Sequence, residues 1–266
     1  MTGRSWAGTT YGNGWMHRHL IRSLRFIPAP AVYIFSYVFI IPVCLIINRK
    51  SRKAAYSYFR LRMGRGPLGA AWWTYLNHCS FAEAVIDKFA MYAGRKFKVE
   101  VAGLDEFNSR AAKPEGFIHL SSHIGNYEIA GYTLVSEQKA INAVVYAWEK
   151  ASVMENRDNM FSRTNIRMIT LKEDMSHLFE IDSALSGGNI VSFPTDRSMG
   201  GSKRVECEFL GAKASFPQGP FSVAAMRGLD TLAVNVMKEK WNKYRIYVTP
   251  LDYDKQAPRK EQIRQL

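Results

Sequence analysis

A histidine and a glutamate five positions apart are the residues of this chain whose types and spacing are best suited to chemistry. The segment His123-Ile-Gly-Asn-Tyr-Glu128 carries an imidazole at one end and a carboxylate at the other. A carboxylate that accepts a proton from one imidazole nitrogen leaves the other nitrogen free to take a proton from a hydroxyl group. We therefore interpret the two residues as a general-base pair. The alternative is that a polar pair beside a helix start only caps the helix.

The flanking residues predict a strand, a loop and a helix around this pair. The apolar run 117–120 predicts a buried strand, and the small and polar residues 121–125 predict a loop. Asn126 is a candidate N-cap for a helix with Glu128 in its first turn. Inside one helix, a spacing of five would put the two side chains roughly 140° apart, so the chain must turn between them. Gly125 permits that turn.

Other catalytic and metal-binding motifs are absent from the sequence. There is no H-E-x-x-H zinc arrangement, no G-x-S-x-G elbow and no P-loop. Cys44, Cys79 and Cys207 are far apart and lack C-x-x-C spacing, so they favour neither a disulfide framework nor a metal site and fit a reducing compartment. We expect no bound metal or cofactor.

Two blocks of sequence resemble one known family. The segment 123–128 is similar to the H-x4-D/E motif, in its H-x-G-N-[WY]-E form, of the bacterial lipid A biosynthesis acyltransferases within the lysophospholipid acyltransferase superfamily. The block 193–201, followed by 205–211 and 216–221, resembles that family's D-[QR] block, its next strand and its P-x-G-P turn. The likeness runs from about Trp6 to Leu251, and two ordered blocks are more specific than either alone.

The resemblance implies direct acyl transfer without a covalent acyl-enzyme. His123, oriented by Glu128, would deprotonate an acceptor hydroxyl, which attacks the thioester carbonyl of an acyl carrier. Main-chain N–H groups around Gly125 and Asn126 would stabilise the oxyanion. The family usually takes its acyl chain from acyl-acyl-carrier protein, and some relatives use acyl-CoA, so we expect one of these thioesters as co-substrate.

The second block supplies further candidate residues. In the family it lines the catalytic cleft, so we expect Asp196 to orient site groups and Arg197 to meet an anionic headgroup or the donor's phosphates. Arg163 or Arg167 could share the role of Arg197. An Asp-Arg pair after a strand is otherwise an ordinary loop salt bridge.

The acceptor is expected to be a lipid or glycolipid resembling lipid A. Three alternatives stay open. The first is a lysophospholipid or other polar-lipid acyltransferase that uses acyl-CoA, and the second is a lipid-binding protein without turnover. The third is a hydrolase in which the same pair activates water.

Positive charge is concentrated in the N-terminal third. The net charge is +13, yet the first acidic residue is Glu83, and residues 1–82 contain eleven Lys or Arg. Basic residues that alternate with aromatic residues beside an apolar run indicate contact with a lipid surface rather than with nucleic acid.

An uncharged apolar run, residues 26–48, lies within this basic region. At about 1.5 Å per residue it is long enough to cross a hydrocarbon core of about 30 Å. Pro28, Pro30 and Pro42 would interrupt a straight helix, and basic clusters flank both ends. We expect a monotopic, partly embedded hairpin or helix in the membrane bilayer, with the protein at the cytoplasmic face of the bacterial inner membrane.

Strand and helix patterns alternate from residue 81 onward. The predicted strands are 97–101, 117–120, 141–148, 167–170 and 190–193, and the predicted helices are 81–92, 126–134, 152–162 and 175–186. This alternation predicts an α/β fold with a mainly parallel central sheet covered by helices on both faces. The family resemblance implies that this fold is similar to that of the glycerol-phosphate acyltransferases. We expect a basic membrane-anchoring segment, 1–80, and an acyltransferase catalytic domain, 81–266.

Overall fold

The computed structural model describes residues 14–146, 165–172, 174–197 and 203–266, which form two compact units. The helical unit contains the described residues up to Lys96, together with Glu208–Ala212. The α/β unit contains the other described residues. A continuous helix passes through residues 80 and 81, where the sequence analysis drew its boundary, and the change of unit comes between Lys96 and Phe97.

The helical unit is organised around one long helix. In chain order its elements are α1 (Gly14–Leu24), α2 (Ala29–Phe35), a π-helical turn (Ser36–Ile40), α3 (Ile41–Ile47), α4 (Arg49–Leu61) and α5 (Pro67–Tyr92). The other helices all pack against α5.

The prolines of the apolar run do not break it into separate helices. Pro28 precedes the first helical residue, and Pro30 lies in the first turn, where no main-chain N–H is needed. Pro42 would clash with the carbonyl group four residues earlier in a regular α-helix. The chain instead makes a π-helical turn before Pro42, in which the N–H of Ile41 donates to the carbonyl of Ser36. Helical structure therefore continues from Ala29 to Ile47, a stretch that could cross a membrane by length and composition.

The remainder of the described chain is built of strands and helices, and consecutive strands pair directly in two places, β6 with β7 and β8 with β9. Its elements are β1 (Lys98–Ala102), α6 (Leu104–Ala111), β2 (Phe117–Ser121), α7 (Glu128–Thr133), β3 (Ile141–Tyr146), β4 (Ile166–Leu171), α8 (His177–Ser186), β5 (Ile190–Pro194), β6 (Arg204–Phe209), β7 (Ala212–Pro217), α9 (Gly219–Arg227), β8 (Thr231–Lys240), β9 (Lys243–Pro250) and α10 (Arg259–Gln265). Strands β6 and β7 form a separate two-stranded sheet.

Seven of the described strands form one sheet in the order β1-β9-β8-β2-β5-β3-β4. Neighbours from β8 to β4 are all parallel, whereas β8 and β9 are antiparallel and β1 is parallel to β9. The predicted mainly parallel sheet is therefore confirmed. The β8–β9 hairpin was not predicted. It makes β9 and its neighbour β1 run opposite to the other five strands of the sheet.

Alternate residues of β2 enter different packing layers. Ile118 and Leu120 belong to the core formed with helices α8 and α9. Because neighbouring strand residues point to opposite faces, Phe117 and His119 face the other layer, where their rings contact Phe107 of α6. His119 is 4% exposed, and its Nε2 has no hydrogen-bond partner among the described residues. This burial lowers the pKa of His119 to about 3.

Most predicted elements occur within a residue or two of their expected bounds. The helix expected over 175–186 begins at His177 and ends before Gly187, as predicted. The strand expected over 141–148 is observed over Ile141–Tyr146, and its last two residues lie outside the described part. The helix expected over 152–162 lies wholly outside that part.

Candidate active site

The candidate site lies where two neighbouring parallel strands end. Strands β2 and β5 are paired with Ser121 opposite Pro194, so His123 and Asp196 each follow this pair by two residues. Thr195 joins the two strand ends, because its main-chain N–H and its hydroxyl both donate to the carbonyl of Ser121, at 2.8 and 3.0 Å. Equal offsets from aligned strand ends therefore bring the histidine and the aspartate together.

Asp196 binds His123 through two hydrogen bonds. Its Oδ1 lies 2.7 Å from the ring Nδ1, and its Oδ2 accepts the main-chain N–H of the same histidine at 3.0 Å. Partial burial raises the pKa of the Asp196 carboxyl, but the hydrogen bonds and charge of His123 outweigh it and hold that pKa below its usual value. The carboxylate is thus ionised at neutral pH.

This geometry assigns the two ring nitrogens of His123. An ionised carboxylate only accepts hydrogen bonds, so Nδ1 carries the proton in the neutral imidazole and Nε2 has a lone pair. The histidine side chain is 22% exposed, which leaves it accessible to a substrate. The ring of Tyr127 lies edge-on to the imidazole, with 5.1 Å between ring centroids.

The turn after His123 is fixed against β8. Gly125 has a φ of +61°, and a Cβ placed on it would lie 1.9 Å from the carbonyl oxygen of Val236, so only glycine fits. One residue before the histidine, the hydroxyl of Ser122 donates to Oδ1 of Asn235 at 2.7 Å. The loop is therefore tied to β8 on both sides of His123.

Three N–H donor groups in this turn have no hydrogen-bond acceptor among the described residues. The main-chain N–H groups of Gly125 and Asn126 make no hydrogen bond within the described residues. The same holds for Nδ2 of Asn126, although that residue is only 5% exposed. The sequence pattern predicts that Asn126 caps α7 with its side chain. The residue before α7 is instead Tyr127, without a side-chain cap, and Asn126 contributes only its carbonyl, which accepts the N–H of Ile129 at 3.1 Å.

Glu128 is the first residue of α7 and is 3% exposed. Its spacing from His123 predicts that it fixes the tautomer of that histidine. The structure places Asp196 beside Nδ1 of His123, so the carboxylate that binds this nitrogen comes from the second sequence block. Membership of Glu128 in the site stays a prediction.

The three predicted arginines differ in their placement. Arg197 follows Asp196 and is exposed. Arg163 lies outside the described residues. Arg167 is the second residue of β4 and is level with Val191, through Asn142 of β3. Val191 is three residues, or about 10 Å, before the end of β5. Arg167 therefore lies two strands away from β5 and near the amino ends of the strands, whereas the site lies at their carboxyl ends. The structure does not bring it to the site.

Within the described ranges, no group of three or more His, Cys, Asp or Glu side chains could hold a metal ion. The candidate chemistry rests on the histidine, the carboxylates and the N–H donors of the turn.

The broad class is an α/β fold with a histidine–carboxylate pair at the carboxyl ends of parallel strands, which is where open α/β sheets bind ligands. A comparison with protein families then gives the particular family. The family model for bacterial lipid A biosynthesis acyltransferases matches residues 83–265, and the chain belongs to that family. The match includes both sequence blocks that resembled it. The chain has no significant match among curated protein sequences.

Some contacts of the site were not predicted from the sequence. The bonds from Ser122 to Asn235 and from Thr195 to Ser121 depend on which strands are neighbours, and local sequence does not give strand order. Only Asp196 was indicated beforehand, by the resemblance of the second sequence block to the family.

Proposed function

We propose that this protein transfers a fatty acyl chain from an acyl thioester, carried by acyl carrier protein or CoA, to a hydroxyl of a lipid A-like acceptor. The reaction would take place at the cytoplasmic face of the bacterial inner membrane. The observation that carries the proposal is the hydrogen bond between Asp196 and Nδ1 of His123, because it leaves Nε2 as a base in an accessible position.

In this mechanism Nε2 of His123 takes the proton of the acceptor hydroxyl while the hydroxyl oxygen attacks the thioester carbonyl. The negative charge moves to the carbonyl oxygen. The tetrahedral intermediate then collapses, the C–S bond breaks, and the departing thiolate takes the proton from the imidazolium. The products are an ester and a free thiol, and the histidine is regenerated.

The oxyanion requires donors that are in place before the reaction begins. The main-chain N–H groups of Gly125 and Asn126 and Nδ2 of Asn126 support this role because none has a partner among the described residues. Loss of one such donor typically lowers the rate by about 10²–10³-fold.

Charged side chains near the base have the remaining proposed roles. Arg197 is exposed beside Asp196 and would bind a phosphate of the donor or the acceptor. Glu128, which is buried at the start of α7, would help to set the electrostatic environment of the pair. Its removal should therefore reduce turnover.

The test is an assay of the purified protein with an acyl-carrier thioester and a lipid A precursor. Mass spectrometry should detect a lipid heavier by one acyl chain and one free thiol for each ester formed. His123→Ala should abolish both, whereas His78→Ala, a histidine of the helical unit bonded to Ser51 and Thr74, should not. Thiol release with free fatty acid, or binding without turnover, would contradict the proposal.

A further inference from the structure

In the apolar helix of the helical unit, Ala29–Ile47, tyrosine and serine side chains lie on the inward face beside Ala29 and Ile41. Its inward-facing residues include Tyr33, Ser36 and Tyr37, whereas a water-exposed helix normally turns its apolar side chains inward. Its outward-facing side chains are apolar and 45–76% exposed; they are Ile34, Phe35, Val38, Phe39, Ile40, Val43, Ile46 and Ile47. An apolar environment must therefore cover this outward face.

Two tyrosine–carboxylate pairs attach the inward face to α5. The hydroxyl of Tyr33 donates to Asp87, and that of Tyr37 donates to Glu83. From the first pair to the second, the residue number rises by four on the apolar helix and falls by four on α5. The two helices therefore run antiparallel. These are the only acidic residues before Glu100 in the sequence, and both are held at a helix contact. Apart from these two residues, the segment 14–96 contains no acidic side chain.

The basic helix α4 lies beside the same part of α5. Its Ser51 hydroxyl is 3.2 Å from Nε2 of His78, and Arg52 donates to the carbonyl of Leu45 in the last turn of the apolar helix, at 3.0 Å. The antiparallel register places His78 near residue 42, which is about 8 Å before the helix end at 1.5 Å per residue. The four cations that begin α4 are therefore level with the last turns of the apolar helix; they are Arg49, Lys50, Arg52 and Lys53.

This arrangement opposes a membrane-spanning orientation. If the apolar helix crossed a bilayer, the adjacent α5 would carry Glu83 and Asp87 into the hydrocarbon core. The cations at the start of α4, which are level with the last turns of the apolar helix, would also enter it. Each charge there is costly. An interfacial orientation satisfies all of these groups, because the apolar face enters the acyl region while the cations remain among lipid phosphates.

We propose that the helical unit binds the surface of an anionic lipid bilayer, with the apolar helix parallel to the membrane plane and not across it. The basic residues that begin α4 contact lipid phosphates, and the partner is the bilayer itself. This inference uses the proposed function only in taking the acceptor to be a lipid, and it can be tested without measuring acyl transfer.

The first experiment measures depth in phosphatidylglycerol vesicles. Cysteines are introduced singly at Ala31, Val38 and Ile46, on the exposed side of the apolar helix, in a Cys44→Ser, Cys207→Ser background, and each carries a spin label. We expect nearly equal, shallow depths of about 5–10 Å. A label at residue 38 that lies about 10 Å deeper than the other two would indicate a spanning helix and overturn the proposal.

The second experiment tests charge. In co-sedimentation, Lys50→Glu/Lys53→Glu should bind phosphatidylglycerol vesicles at least about 30-fold more weakly than the wild type. The wild type should also prefer these vesicles to phosphatidylcholine. The matched control is Arg259→Glu/Lys260→Glu, which makes the same charge change on exposed residues of α10 and should bind as the wild type. Circular dichroism and the melting temperature establish that each variant is folded.

Two further results would overturn the proposal. One is a folded wild type that does not bind either vesicle. The other is a concentration-dependent dimer that shields all three labels in the absence of lipid, because a second copy would then cover the apolar face.

Discussion

Replacement of Asp196 by asparagine is the most direct test of the candidate site. The substitution keeps the size of the side chain but removes its charge and one of its two acceptor oxygens. In the wild type these oxygens accept from Nδ1–H and from the main-chain N–H of His123. An asparagine that keeps the main-chain bond turns its NH₂ group toward Nδ1, which favours the tautomer with the proton on Nε2. That tautomer cannot accept the proton of the acceptor hydroxyl.

The expected loss follows from the exposure of the pair. A hydrogen bond to a charged group contributes about 1.5–3 kcal/mol, or about 10–150-fold in rate. In the serine protease triad, where the aspartate is buried, the equivalent substitution lowers kcat by about 10⁴-fold through the wrong tautomer. Here the two side chains are 22% and 30% exposed, so water can partly replace the lost partner. We therefore expect kcat to fall by about 10²–10³-fold.

The assay compares four folded proteins at saturating donor and acceptor: wild type, Asp196→Asn, Glu128→Gln and Asp182→Asn. Asp182 forms an exposed ion pair with Arg227 and is the control for loss of one carboxylate in the α/β unit, so its variant should match the wild type. The rate is the amount of singly acylated product formed per unit time, measured by mass spectrometry. The melting temperature of each variant is recorded in parallel.

Wild-type turnover in Asp196→Asn would refute this reasoning. If Glu128→Gln were inactive in the same experiment, the orienting carboxylate would be Glu128, as the local sequence suggested. Loss of activity in both variants would agree with separate roles for the two carboxylates.

Three other substitutions test the turn and the core. Gly125→Ala should reduce both activity and stability far more than Gly228→Ala, because both glycines have a φ of +61° but only the first would place its Cβ against Val236; thermal unfolding and turnover check this. Asn126→Ala should lower kcat by about 10²-fold while leaving the melting temperature equal or higher, because it removes a buried amide without a partner among the described residues. The folded-state pKa of His119 is depressed, so its contribution to stability is complete above about pH 6.5 and is lost as the pH falls toward 3. His119→Leu should therefore lose about 2 kcal/mol less than the wild type between pH 7 and pH 5 in urea unfolding, and equal losses would contradict the buried neutral state.

The local patterns of this chain predicted most elements of the α/β unit. Mainly apolar segments such as 117–120 and 190–193 became strands buried in a mainly parallel sheet. Patterns of this kind depend on residues close in sequence, which is why they were informative. The β8–β9 hairpin was not predicted, although its strands are long.

The sequence was less informative about which residues from different strands and helices lie together in the site. The sequence pointed to Glu128 as the partner of His123 because the two are near each other along the chain. The observed partner of Nδ1, Asp196, is 73 residues away and arrives through the pairing of β2 with β5. The same lack of strand order made Arg167 a candidate, although it lies near the amino end of β4, whereas the site lies at the carboxyl ends of β2 and β5.

The contacts around His123 explain why two blocks of sequence so far apart form one site. Asp196 fixes both the ring and the main chain of the histidine, so a shift of the β5 loop would move the base itself. Ser122 and Gly125 hold the same loop against β8. Donors that stabilise an oxyanion are effective only when they need not reorganise during the reaction. A turn held by two neighbouring strands meets this condition, so substitutions at Asn235 or Thr195 should reduce turnover through the position of the base, although neither residue contacts its ring.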